Sequence, residues 1–187
     1  MSLKEKYNKE VIPAMMKKFG YKNQMAVPCI KKVVISNSFG KEVSTKTSGE
    51  REKIQNLIAN DLALITGQKV KITKAKKSIA GFKLREGLEI GAVATLRKQR
   101  MWDFLERFIY LSLPRSRDFK GISTKSIDQK GNLNIGFKEH ISFPEVFTEK
   151  EKTIIGLQIT ISVNARNKEE GLELYKLMGF PMKEDSK

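Results

Sequence analysis

Seven basic residues lie between Lys69 and Arg85 with no acidic residue among them. Lys69, Lys71, Lys74, Lys76, Lys77, Lys83 and Arg85 are interleaved with Val70, Ile72, Ile79, Phe82 and Leu84. That regular apolar interruption distinguishes the run from a solvated lysine tail: a folded element presents positive charge to something. Phosphate is the natural recipient, because neutralising a nucleic-acid backbone releases condensed counterions. Inside the run, Gly81 permits close backbone approach and Phe82 offers an aromatic surface suited to unstacked bases or a helix shoulder of irregular RNA. The competing possibility is that Ile79 and Phe82 tuck into a core while the lysines are only solvated.

The charge distribution supports a basic face. The 187 residues carry a formal charge of +15, from 36 Lys/Arg against 21 Asp/Glu. Residues 69–100 hold ten of these cations and two acids, a net of +8, whereas residues 140–187 hold seven and eight, a net of −1. One cysteine, Cys29, excludes an internal disulfide and any paired-cysteine metal site. No apolar run approaches the roughly 20 residues of a membrane span, and Met1–Glu5 lacks the apolar region of a signal peptide. The expectation is one soluble, cytoplasmic domain over residues 1–187 with no cofactor and no metal.

The elements that would position the basic run follow from periodicity. Leu3, Tyr7, Ile12, Met15, Met16 and Phe19 predict a helix over 3–19, kinked or restarted at Pro13 and stopped at Gly20. Val33-Val34-Ile35 centres a strand over 30–37, and the polar stretch 38–49 reads as loop. Thr47 and Glu50 form a capping box for a helix ending near Gly67. Strands follow at 69–74 and 88–96, joined by a basic hairpin loop at 74–85. Met101, Phe104, Leu105, Phe108 and Ile109 form the buried stripe of a helix over 99–112 that Pro114 closes. Strands at 121–127 and 132–138 flank a turn at Lys130-Gly131-Asn132. A strand at 156–163 precedes a final helix capped by Asn167 with Glu170 and ended by Gly179 and Pro181. The class is α+β: a two-layer fold with a mostly antiparallel sheet, helices on one face and an open face for a partner.

Strand alternation then assigns side chains to that open face. With Val33 and Ile35 inward, Lys32 and Ser36 point out. With Val70 and Ile72 inward, Lys69, Lys71 and Thr73 point out. With the even positions of 88–96 inward, Thr95 and Arg97 point out. Such donors suit phosphate and sugar contacts; the alternative is a merely solvated polar face.

Rival classes are less well served. An RNA-recognition-motif protein shares the middle βαββαβ rhythm but needs stacking aromatics on two central strands, for which Phe137 is the one faint candidate. An enzyme finds little: His140, the sole histidine, has no companion of metal spacing and reads as a surface or packing residue, and Cys29 lacks a histidine partner. A membrane-surface protein would want a large aromatic face on the N-terminal helix, which is absent.

The stretch Ile72–Arg85 closely resembles the signature loop of the large-subunit ribosomal protein L-five family (universal name uL-five). Thr66-Gly67-Gln68-Lys69, Thr95-Leu96-Arg97, Arg100–Phe104, Pro114–Phe119 and Phe143-Pro144-Glu145 extend the resemblance in order over nearly the whole chain. The resemblance implies a non-enzymatic constituent of the large ribosomal subunit that binds 5S rRNA, anchors it in the central protuberance and touches the large-subunit rRNA. Carried onto matching positions, 5S rRNA falls to Gln68, Lys69, Thr73, Thr95 and Arg97, joined on the strand faces by Lys32, Ser36, Asn37 and Lys71. The signature loop, with Lys74, Lys76, Lys77, Ser78, Gly81, Phe82, Lys83 and Arg85, would reach the P-site tRNA. An intersubunit bridge to a small-subunit head protein is placed around Pro114–Phe119, at Arg115, Arg117 and Asp118. Neighbouring 5S-associated ribosomal proteins are further partners, no membrane is involved, and the free protein is expected as a monomer. Two departures stand out. The family's first strand usually ends Asn-Met-Gly-Val-Gly, whereas here Ser36-Asn37-Ser38-Phe39-Gly40 puts serine in the asparagine's place and Asn37 on the opposite strand face. Cys29 stands where the family often has Arg or Lys.

Overall fold

A computed structural model describes residues 1–44, 46–117, 119–146 and 155–183. Among the described residues the chain builds an open five-stranded sheet and seven α-helical segments, an α+β fold. The strands are β1 (Ile30–Ser38), β2 (Lys71–Lys74), β3 (Glu89–Leu96), β4 (Leu133–Phe137) and β5 (Leu157–Val163), in the spatial order β2-β3-β1-β5-β4. β2 pairs with β3 antiparallel, with Lys71 opposite Val93 and Thr73 opposite Gly91, and the register shifts between Thr73 and Lys74. Each long strand buries alternate residues: Val33 and Ile35 on β1, Ala92, Ala94 and Leu96 on β3, Leu157, Ile159 and Ile161 on β5. Burying each large aliphatic side chain contributes about 1.5–3 kcal/mol.

The chain divides into two compact units. One comprises residues 1–33, 96–135 and 160–187; the other comprises 34–95 and 136–159. The first is helix-rich, with α1 (Leu3–Lys6), α2 (Ile12–Phe19), α5 (Lys98–Arg107), α6 (Leu113–Arg115) and α7 (Lys168–Met178). All five stripe residues of α5 and its continuation, Met101, Phe104, Leu105, Phe108 and Ile109, are buried. The second contains α3 (Gly40–Val43) and α4 (Ser48–Thr66). Here Thr47 opens α4 through its N–H and hydroxyl, both donating to the Glu50 carboxylate at 3.1 and 2.9 Å. Those bonds hold the Glu50 carboxyl below its usual range. Gly67 closes α4 in the left-handed conformation at φ 66°.

Both prolines inside helical patterns have the same local solution. A π-helical segment, Tyr7–Val11, separates α1 from α2, and Ile12 donates to the Tyr7 carbonyl just before Pro13. A second, Phe108–Ser112, separates α5 from α6, and Leu113 donates to the Phe108 carbonyl just before Pro114. A proline has no N–H and its ring collides with the carbonyl four residues back. The widened turn moves that carbonyl away and lets the helix continue. Pro114 therefore does not end its helix, as its position suggests; it sits in the first turn of α6.

Other expectations are corrected. Residues 121–127 form no strand: Ile122 makes a lone bridge to Met182, Ile127 another to Leu133, and a 3₁₀ turn at Thr124–Ser126 intervenes. Ser123 Oγ accepts from the Lys125 N–H at 3.2 Å, satisfying the backbone locally instead of in a ladder. The stretch 38–49 is not all loop, since Phe39 and Val43 anchor α3 in the core. Asn167 makes no side-chain cap on α7; Glu170 instead accepts from the Arg166 N–H at 2.8 Å.

Where α7 meets the turn before β4, two glycines are in contact. A Cβ on Gly171 would lie 2.6 Å from Gly131 Cα and 2.8 Å from its carbonyl oxygen. Tyr175, fully buried, hydrogen-bonds through its hydroxyl to that same carbonyl at 3.0 Å, and burial pushes its phenol pKa far up. Helix propensity alone favours Gly171→Ala by about 1 kcal/mol, but backbone overlap should reverse the sign. The variant is expected to lose about 1–3 kcal/mol in urea denaturation, and an increase in stability would refute the packing argument.

Candidate nucleic-acid interface

The unit of residues 34–95 and 136–159 carries most of the residues that the strand pattern turns outward. β3 lies between β2 and β1, and its Gly91 leaves no room for a side chain between them. A Cβ there would sit 2.8 Å from Thr73 Oγ1 and 2.9 Å from the Asn37 carbonyl oxygen. The bare backbone opens a concavity of about 530 Å³ lined by Ser36, Ser38, Thr73, Gly91 and Gln158 among others. Hydroxyl, carboxamide and backbone groups share this concavity with apolar residues, Ile90, Val93, Phe137 and Leu157, around a glycine floor.

Several expected residues take distinct places. Ser36 and Thr73 are half-buried, and Lys69, Lys71 and Thr95 are exposed. Gln68 Nε2 donates to the Thr95 carbonyl at 3.0 Å, which ties the end of α4's connection to β3. Asn37 is turned the other way. It is 8% exposed, and its Nδ2 donates to the Gly156 carbonyl. Its Nδ2 is thus committed inside the fold, as expected for a residue on the opposite strand face, while its Oδ1 is buried without a hydrogen-bond partner among the described residues and the residue still borders the hollow. Ser38 belongs to β1, and among the described non-glycine residues only Lys83 and Lys98 have positive φ. The sequence Ser36-Asn37-Ser38 therefore completes this strand without a glycine. In the other unit, Lys32 is half-buried and Arg97 exposed.

The hairpin is closed at its base and folded to its tip. Ala75 donates to the Leu88 carbonyl at 2.8 Å and accepts from the Gly87 N–H at 3.0 Å. Further out, Ile79 and Leu84 bridge, the Glu86 N–H donates to Ser78 Oγ at 2.9 Å, and Lys83 adopts φ 52°. Phe82 is 70% and Ile79 46% exposed, so neither tucks into the core. Lys74, Lys76, Lys77, Ser78, Gly81 and Arg85 are exposed with them. Lys74 pairs with Glu89 at 3.5 Å across the hairpin base. Arg115 and Arg117 are exposed beside α6; Asp118 lies outside the described residues.

Gln158, Thr160 and Asn134 are further polar strand residues that the sequence reading does not single out. Alternation along β5 already implies the first two, because Leu157, Ile159 and Ile161 point in. Thr160 Oγ1 and Asn134 Oδ1 are 2.7 Å apart in a hydrogen bond. His140 is no surface residue: it is 1% exposed, its Nδ1 accepts from the Ile155 N–H at 3.1 Å, and its Nε2 lies 3.8 Å from Asp61 Oδ2. Its role is packing. Among the described residues no group of three His, Cys, Asp or Glu could hold a metal, and no helix is long and apolar enough to cross a membrane.

Gly91→Ala tests the floor. A Cβ meeting backbone on one side should cost about 1–3 kcal/mol of stability, read from the urea midpoint, and an unchanged midpoint would mean that the strands separate freely.

Comparison with known proteins matches residues 23–85 to the family model described as ribosomal protein L5, and residues 89–182 to the model of the C-terminus of that ribosomal family. The chain is 51% identical over 181 residues to the large ribosomal subunit protein uL5 of Geotalea daltonii, covering 97% of this chain and 98% of the relative. It is 49% identical over 179 residues to that of Halothermothrix orenii, covering 96% and 97%. It is 46% identical over 181 residues to that of Cupriavidus metallidurans, covering 97% of each.

Proposed function

The chain belongs to the ribosomal protein L5 family, a structural, non-enzymatic family of the large ribosomal subunit, and from that membership we propose that its task there is to hold 5S rRNA. The observation that carries this reading is the glycine-floored concavity walled by Ser36, Thr73 and Gln158 on a strongly basic chain. Ser36, Thr73 and Thr95 would donate to sugar and phosphate oxygens. Lys32, Lys69, Lys71 and Arg97 would neutralise backbone charge, and Gln68 would hold the β3 edge in place. Asn37 takes part indirectly, by fixing the strand end that carries Ser36 and Ser38. Phosphate contacts set register, and the shape of the folded RNA supplies specificity.

The hairpin is the second functional element of the reading. Its exposed Lys76, Lys77, Phe82 and Lys83 would meet the P-site tRNA, Phe82 offering a stacking surface and the lysines backbone neutralisation. Arg115 and Arg117 would contribute to the contact with a small-subunit head protein. Large-subunit rRNA and neighbouring 5S-associated proteins complete the set of partners.

Binding of the purified protein to 5S rRNA, with tRNA and a scrambled RNA of equal length as competitors, tests the reading across a salt series. Selective binding that persists near physiological salt is expected, with a salt slope that counts the phosphates neutralised. Equal affinity for all three RNAs, collapsing together as salt rises, would sink it. Thr73→Ala and Arg97→Ala should each weaken 5S binding by about 1–3 kcal/mol, and unchanged affinity in both would remove the strand faces from the contact. Replacing Lys76, Lys77 and Lys83 together should spare 5S binding and impair tRNA positioning in assembled ribosomes, measured by P-site footprinting. An equal loss of 5S binding would merge hairpin and strand face into one site.

A further inference from the structure

A second concavity, of about 450 Å³, lies on the same unit away from the Gly91 floor. Arg51, from the first turn of α4, lines it with Lys83 and Arg85 of the hairpin's return limb, and with Ser44, Leu84 and Leu88. Among the described residues no carboxylate lines it, and none of the three cations makes an ion pair. Three uncompensated cations around one hollow repel each other, so the site favours an anion that accepts from all of them.

The arrangement is built rather than incidental in two respects. Arg51 Nε donates to the Val43 carbonyl at 3.0 Å, which fixes the guanidinium plane, and among the described residues no hydrogen bond engages its terminal N–H groups. A guanidinium held in this way loses little freedom when it grips a tetrahedral oxyanion with its fork. Lys83 adopts a left-handed backbone, φ 52°, which an L side chain takes up at a cost. That conformation follows the 3₁₀ turn Ala80–Phe82 and belongs to the return limb that brings Lys83 and Arg85 to the hollow.

We propose that Arg51, Lys83 and Arg85 form a phosphate-binding clamp that seats a backbone phosphate of RNA between α4 and the hairpin. Its assignment to RNA rests on the reading of the protein given above; the anion site itself does not. Occupation would tie the hairpin to α4 through the ligand, so RNA bound here would set the hairpin's direction. Arg51 lies outside every residue set that strand alternation or the basic run singles out.

The test uses the full chain, isotope-labelled, with inorganic phosphate replacing chloride at constant ionic strength. Saturable NMR shifts are expected at the Arg51 Nε–H and the Ser44 and Leu84 amides. Affinity should fall roughly tenfold in Arg51→Gln, fall also in Lys83→Gln, whose side chain is exposed, and stay unchanged in Lys9→Gln, an exposed cation of the other unit. Shifts that grow linearly at every basic residue and ignore both substitutions would overturn the clamp. A short oligouridylate should then displace the phosphate, supporting a phosphodiester as ligand. Phosphate that persists against the oligonucleotide would overturn the RNA assignment and leave a free-anion pocket. Since 5S rRNA affinity is read separately through Thr73→Ala, loss of the clamp and loss of the 5S contact are distinguishable.

Discussion

The close approach of three strands over Gly91 is the contact on which the rest of the candidate interface depends. Thr73 Oγ1 and the Asn37 carbonyl both occupy space that any side chain at this position would need. With no side chain on the middle strand, Thr73 Oγ1 and the Asn37 carbonyl border an open floor, and a hollow stands where a pleat would otherwise project. Serine and threonine line the hollow without being specialised for it, because alternation already places them outward, and Val93, Phe137 and Leu157 line it beside them. Asn37 stabilises the same spot from beneath through Gly156. A mixture of one absent side chain and one buried carboxamide thus shapes a surface that charge alone would not create.

Helix continuity through proline has a comparable logic on the helix-rich unit. Tyr7 closes one of the two π turns and packs against Trp102 of α5 at 5.7 Å between ring centroids. Its hydroxyl donates to the Pro28 carbonyl at 3.0 Å. The wider turn therefore does more than tolerate Pro13: it aims an aromatic at the neighbouring helix and at the strand's approach. Leu3, Val11 and Met15 line up as buried residues along the whole segment, which a helix broken at Pro13 would not allow.

Much of this is legible in order and type. Periodicity locates the buried stripe of α5, the capping box at Thr47 and Glu50, and the inward residues of β3 and β5, since each is decided by neighbours a few positions away. The α+β class follows from those elements. What local pattern does not show is anything settled by distant partners. Ile122 and Ile127 have the composition of a strand, yet each finds only one bridging residue, and local side-chain bonds hold the backbone between them. Phe39 and Val43 look like loop residues until the core they fill is in place. Gln158, Thr160 and Asn134 need only the same alternation, applied to strands that carry no positive charge and so draw no attention. Arg51 sits on a helix whose pattern reads as core on one side and solvent on the other. Its neighbours in the fold come from a hairpin more than thirty residues away in sequence.

The hairpin's base adjoins the hollow. Ala75 both donates to and accepts from the opposite limb, so the two limbs are riveted together where they leave the sheet. Immediately behind that rivet, the register between β2 and β3 slips at Thr73 and Lys74. The exposed tip therefore stands on a base whose closure at Ala75 and irregular ladder at Thr73 lie side by side, and Thr73 is also a wall of the glycine-floored hollow.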